Sequence, residues 1–156
     1  MKYIVIMLVV ALMVFMYQRA GKNKALAVEN KQIGEAFLTT NKQQEGVVET
    51  QSGLQYLVLN KGDSTIQPSA NSTVNVHYHG TLIDGTVFDS SVERGSPISF
   101  GLKQVIAGWT EGLQTMHVGD KTRFFIPAEL AYGDRAVGKI PAGSTLIFDV
   151  ELLAVQ

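Results

Sequence analysis

The stretch 105–119, VIAGWTEGLQTMHVG, limits the folds open to this chain more than any other. It holds the only tryptophan, Trp109, at the head of a short helical pattern. Trp109, Leu113 and Met116 recur at spacings of four and three, on one helical face. Gly108, Gly112 and Gly119, with Gly101 just upstream, interrupt what would otherwise be a longer helix. Strand-like alternation lies on both sides. One short helix among many strands predicts a curved sheet folded over that helix, with Trp109 between them.

The alternation is clearest over 73–79, where Val74, Val76 and Tyr78 share one face and Asn75, His77 and His79 the other. Asp84-Gly85 is a hairpin signal, after which Val87 and Phe88 resume a strand. Residues 90–97 form a polar excursion, and Ile98 and Phe100 return to the core. A strand over 121–126 turns Thr122, Phe124 and Ile126 one way, and a closing strand over 146–152 turns Leu146, Phe148, Val150 and Leu152 inward. An earlier strand over 54–59 follows the turn Gln51-Ser52-Gly53. The fold class is α+β: a curved antiparallel β-sheet wrapped around one short helix, preceded by an N-terminal apolar helix and a helical neck.

Three regions follow: an apolar signal-anchor segment over 1–19, a polar neck or linker over 20–46 and a domain over 47–156. Residues 3–17 are an uninterrupted apolar run, about 22 Å long as a helix against a hydrocarbon core of about 30 Å. Interfacial Tyr3 and Tyr17, with snorkelling Lys2 and Arg19, make up the difference. The run suits either a signal-peptide core or a membrane anchor. The long basic stretch after Tyr17 favours the uncleaved anchor. Residues 22–44 are polar with spaced Leu26, Ile33 and Phe37, and read as a solvated helix or flexible neck ending near Gly46. Arg19, Lys22 and Lys24 after the span lean weakly toward a cytoplasmic domain.

Composition removes several classes. No cysteine means no disulfide, thiolate metal site or Cys nucleophile, and a net charge of −1 gives no hint of nucleic-acid binding. There is no P-loop and no Gly-x-Ser-x-Gly. His77 and His79 share a strand face, but the only other histidine is His117, so a solvated sheet face is the better reading than a metal site. No cofactor is expected.

Three segments then carry a family resemblance: VHYHGTLIDGTVFDSS (76–91), VIAGWTEGLQTMHVGDK (105–121) and FFIPAELAYGDRAVGKIPAGSTLIFDVELL (124–153). Together they resemble the FKBP-type peptidyl-prolyl cis-trans isomerases. The lead-in EGVVETQSGLQYLVL (45–59) is similar to the bacterial macrophage infectivity potentiator subgroup. The resemblance covers roughly residues 45–156. It implies a pocket with Tyr78, Asp89 and Tyr132 as catalytic residues. The substrate-binding residues it implies are Phe88, Arg94, Ile98, Val105, Ile106, Trp109, Ile140 and Phe148. Trp109 would be the pocket floor, and the Ile106 N–H and Tyr132 hydroxyl would hold substrate carbonyls.

Ile98 stands where many members have an aromatic, Gln104 replaces a common acidic residue, and nothing carries over onto 134–139. Implied partners are proline-containing unfolded or partly folded polypeptides, macrolide inhibitors and, through the N-terminal segment, a membrane. The apolar run stands where relatives carry a helical dimerisation arm, which leaves the oligomeric state open. The implied location is the bacterial inner membrane, with a single anchor and a periplasmic domain. A membrane-tethered, non-catalytic chaperone using the same cleft is the alternative reading. Taken singly, Tyr78, Trp109 and Phe148 suit a core as well as a site. Their joint order along some seventy residues makes the site.

Overall fold

The computed structural model describes residues 2–156, with side chains from residue 4 onward, so the interfacial roles of Lys2 and Tyr3 lie outside the described residues. The chain starts with one continuous helix, α1 (Lys2–Asn41). Seven strands follow: β1 (Val47–Glu49), β2 (Gln55–Asn60), β3 (Thr73–Leu82), β4 (Val87–Ser90), β5 (Ile98–Gly101), β6 (Lys121–Ile126) and β7 (Leu146–Val155). Helix α2 (Ser91–Arg94) lies between β4 and β5, and α3 (Ala107–Leu113) between β5 and β6. All pairings are antiparallel, in the order β1-β2-β6-β7-β3-β4, with β5 also on β3. The sheet is open rather than a closed barrel.

Alternation sets the faces as expected. Val74, Val76 and Tyr78 of β3, Thr122, Phe124 and Ile126 of β6, and Leu146, Phe148, Val150 and Leu152 of β7 are buried, and together they make the concave core. Helix α3 lies in that concavity. Gly108 and Gly112 do not break it. A Cβ on Gly108 would stand 2.5 Å from Ile126 Cγ2, and one on Gly112 would stand 2.7 Å from Phe124 Cε1. These two glycines let the helix backbone rest directly on β6. The helix ends at Leu113, so Met116 belongs to the following turn, yet it is buried with Trp109 and Leu113 in the same cluster.

Two strands escaped the sequence reading. The three-residue β1 is too short for a period, and β5 carries only one repeat of the alternation. Both are specified by partners: β1 by β2, and β5 by the first half of β3.

The neck also differs from its reading as a solvated helix or flexible segment. Residues 4–22 of α1 are exposed throughout. From there Ala27, Gly34, Leu38 and Asn41 form a buried stripe at helical spacing, whereas the spaced apolar Leu26 and Ile33 stay exposed. The stripe packs on the loop before β7 and on the sheet's outer face. Asn30 Nδ2 donates to the Ala142 carbonyl at 2.8 Å, and Asn41 Nδ2 donates to Gln55 Oε1 at 2.8 Å. Gln55 Nε2 donates to the Leu38 carbonyl at 2.9 Å. Phe37 tilts against Phe125 with ring centroids 6.1 Å apart. Small residues on the stripe permit this: a Cβ on Gly34 would meet Thr145 Oγ1 at 2.2 Å.

Candidate active site

Strand β3 is paired on one edge twice, by β5 over Thr73 to Val76 and by β4 over His79 to Thr81. Between the two partners the edge is open at Tyr78, and the Tyr78 N–H has no strand to donate to. Ser91, fully buried at the start of α2, fills the gap: its Oγ accepts from the Tyr78 N–H at 2.8 Å and donates back to the Tyr78 carbonyl at 3.3 Å. Ser90 meanwhile caps α2, its Oγ accepting from the Glu93 N–H at 3.1 Å. Ser91 is a positioning residue the sequence reading missed. Its only signal was the serine pair Ser90-Ser91 at the start of the polar excursion.

Tyr78 then reaches Asp89 and Arg94. Its hydroxyl donates to Asp89 Oδ2 at 2.5 Å and accepts from Arg94 Nη2 at 3.0 Å. Arg94 Nη1 closes the triangle on Asp89 Oδ1. Burial by itself would raise the Asp89 carboxyl, but the hydrogen bonds from Tyr78 and Arg94 outweigh it and hold the group below the usual carboxylate range. Burial, helped by the bond to Asp89, raises the Tyr78 hydroxyl. The carboxylate therefore stays ionised and the phenol neutral at physiological pH.

Beside this triangle opens a cleft of about 430 Å³, within the usual range for a ligand site. Seven of the expected residues line it: Tyr78, Asp89, Val105, Ile106, Trp109, Tyr132 and Phe148. Trp109 is only 4% exposed, and three rings meet it edge-on. Tyr78, Phe100 and Phe148 stand at centroid distances of 5.4, 5.4 and 5.3 Å, each more than 80° from its plane. Two donors on lining residues, the Ile106 N–H and the Tyr132 hydroxyl, have no acceptor among the described residues.

Four expected residues stand elsewhere. Phe88 packs edge-on behind Phe148 at 5.3 Å, and Arg94 acts through Tyr78 and Asp89. Ile98 pairs with Val76 and packs against the core, and Ile140 is buried within it. Motif order does not separate residues packed beside the wall from those that line it. Conversely, Phe100, Gln104, Ala131 and Arg135 line the cleft without having been expected there. Phe100 supplies the aromatic edge that Ile98 lacks, two residues further along β5. Among the described residues no group of three or more His, Cys, Asp or Glu could hold a metal ion.

An open antiparallel sheet curved over a short Trp-bearing helix, with this ring-lined cleft, is the architecture of the FKBP-type isomerases. The profile described as FKBP-type peptidyl-prolyl cis-trans isomerase matches residues 64–153, and that of the domain amino terminal to such isomerases matches residues 7–58. The chain belongs to the FKBP-type peptidyl-prolyl cis-trans isomerase family.

It is 56% identical over 130 residues to the FKBP-type peptidyl-prolyl cis-trans isomerase FkpA of Aeromonas hydrophila, covering 83% of this chain and 48% of that protein. Against the FKBP-type 22 kDa peptidyl-prolyl cis-trans isomerase of Escherichia coli (strain K12) the identity is 50%, over 88% of this chain and 65% of that one. Against the outer membrane protein MIP of Legionella longbeachae it is 47%, over 90% and 60%. The crystal structure of FkpA from Escherichia coli matches with a TM-score of 0.86 at 42% identity, covering 94% of this chain and 70% of that one. The chain thus spans about half to two thirds of the length of the curated relatives it matches.

Proposed function

We propose that the domain over 47–156 accelerates cis-trans rotation of X-Pro bonds in unfolded or partly folded polypeptides. The observation that carries this reading is Trp109 edge-packed by three rings beneath a cleft whose lining keeps two hydrogen-bond donors unused. X-Pro rotation breaks no covalent bond, and its barrier of roughly 18–20 kcal/mol is the amide's partial double-bond character. The twisted transition state has lost resonance and is less dipolar than the planar amide. A water-poor aromatic cleft therefore disfavours the planar state more than the twisted one, which is catalysis by differential binding and solvent removal.

In this reading the Ile106 N–H and the Tyr132 hydroxyl donate to the carbonyls of the bound chain, and Trp109 and Phe148 hold the proline ring. The Tyr78 hydroxyl is already committed to Asp89 and Arg94, so Tyr78 contributes its ring face and a fixed dipole. Asp89 supplies the adjacent fixed negative charge as the carbonyl rotates. Macrolides, which present a similar apolar ring and carbonyls, would compete for the same cleft. A protease-coupled assay on a Leu-Pro-Phe peptide tests the reading. Turnover above background that a macrolide inhibits is expected. Refolding assistance with no peptide turnover would leave only a binding module.

The first nineteen residues are proposed as a single inner-membrane anchor, with residues 20–46 as the neck that carries the domain on the periplasmic side. Support comes from a helix long and apolar enough to cross a membrane, whose residues 4–17 bury nothing against the domain. Fusion after Gln156 to alkaline phosphatase, against a cytoplasmic fluorophore, tests the side. A phosphatase-inactive, fluorescent fusion would place the domain in the cytoplasm.

A further inference from the structure

We propose that Arg135 makes this cleft selective for prolyl peptides that carry a carboxylate side chain next to the proline; the proposal rests on the isomerase reading above. Two arginines belong to the site, and they differ in one respect. Arg94 is neutralised by Asp89. Arg135 lines the cleft and is exposed, yet no carboxylate lies within ion-pair distance of it among the described residues.

Its nearest candidate by sequence, Asp134, is taken by another cation. Lys31 of α1 pairs with Asp134 Oδ1 at 2.7 Å and stands 3.8 Å from Glu129 Oε1. The docked helix thus engages both carboxylates of the cleft loop through Lys31, and Arg135 on the lining makes no ion pair of its own among the described residues.

Arg135 is also held next to the expected point of action. Its N–H donates to the Tyr132 carbonyl at 3.2 Å, and the turn is closed by the Gly133 N–H on the Ala128 carbonyl at 2.8 Å. Of the other polar groups facing the cleft, Gln104, Tyr132 and Tyr78 bring no charge, and the Asp89 carboxylate is already paired with Arg94. A peptide whose X-Pro bond lies over Trp109 and whose carbonyl meets Tyr132 has its flanking side chains within reach of a guanidinium three residues away along the loop. The matching group on the peptide is a carboxylate, which guanidinium binds with two parallel hydrogen bonds. An exposed pair of this kind gives a modest, salt-sensitive preference of about two- to fivefold.

The test is protease-free exchange NMR on the peptides Ala-Xaa-Pro-Phe and Ala-Leu-Pro-Xaa, with Xaa as Glu, Gln or Lys, at low and at high ionic strength. On at least one side of the proline, kcat/KM should rank Glu above Gln above Lys, with the difference carried by KM and lost in about 1 M salt. Arg135→Gln should bring the Glu to Gln ratio to about one, Arg135→Glu should invert it, and Arg135→Lys should keep most of it. Equal rates for Glu and Gln peptides with the unaltered protein overturn the proposal, as does an Arg135→Gln variant that keeps the ratio. Absence of catalysis on every peptide would instead overturn the isomerase reading itself.

Discussion

Trp109 and Asp89 place opposite demands on a substitution. Trp109 is nearly enclosed by Tyr78, Phe100 and Phe148, so Trp109→Ala should cost about 3–5 kcal/mol of stability as well as abolish macrolide binding. Chemical denaturation and a binding titration would show both. Asp89 is close to half exposed, and its partner Arg94 likewise, so the pair adds little to folding. Asp89→Ala should lower turnover at least about tenfold, roughly 1.4 kcal/mol on the barrier, while leaving the denaturation midpoint almost unchanged. Full turnover in that variant would remove Asp89 from the mechanism.

Because the hydrogen bonds from Tyr78 and Arg94 hold the Asp89 carboxyl down against the effect of burial, turnover should be flat from about pH 5 upward. It should fall only below the ordinary carboxylate range. Ser91→Ala should cost about 1–3 kcal/mol, because it leaves the buried Tyr78 N–H without an acceptor, and should loosen the Tyr78 ring with it.

At the scale of elements, the turn between α3 and β6 is tied to the β2–β3 loop by one buried carboxylate. Asp120 accepts from the Gly62 N–H at 2.8 Å and the His117 N–H at 2.9 Å, with Lys61 3.6 Å away. Burial pulls the Asp120 carboxyl up, but these donors and charges prevail and hold it below its ordinary value. A lowered folded-state value stabilises the fold above the unfolded carboxylate pKa, near 4, and that contribution is lost as the pH falls through the folded value. The thermal midpoint should therefore drop between about pH 5 and pH 3, and Asp120→Asn should flatten that part of the curve. A variant with the same acid slope would assign the sensitivity to another group.

Helix α3 has its own tie, since Thr50 and Ser52 each donate to the Glu111 carboxylate at 2.6 Å. The turn at 51–53 thus steadies the outer side of the Trp109 helix.

For the whole molecule, α1 divides into an exposed apolar half and a docked half, and truncations should read out the division. Removal of residues 1–21 should abolish flotation with lipid vesicles while leaving the unfolding midpoint of the domain nearly unchanged. Removal of residues 1–35 should lower that midpoint, because it strips Ala27 and Gly34 from the loop at 141–145 and releases Asp134 from Lys31. Equal midpoints for the two truncations would show that the seam contributes nothing.

The local period of the chain determined β3, β6 and β7 and their inward faces, because a residue's side on a strand follows from its own backbone. The ordered motifs likewise named two of the three rings that meet Trp109, Tyr78 and Phe148, but not Phe100. Only the tertiary structure decided that Ala27 and Gly34, rather than Leu26 and Ile33, face the domain, since at those two positions the helix approaches the loop at 143–145 too closely for a larger side chain. It alone put Phe100 on the cleft lining and left the equally half-buried Ile98 and the buried Ile140 off it, and matched Ser91 to the gap at Tyr78. Those outcomes depend on distances between segments far apart in the chain, which no local pattern encodes.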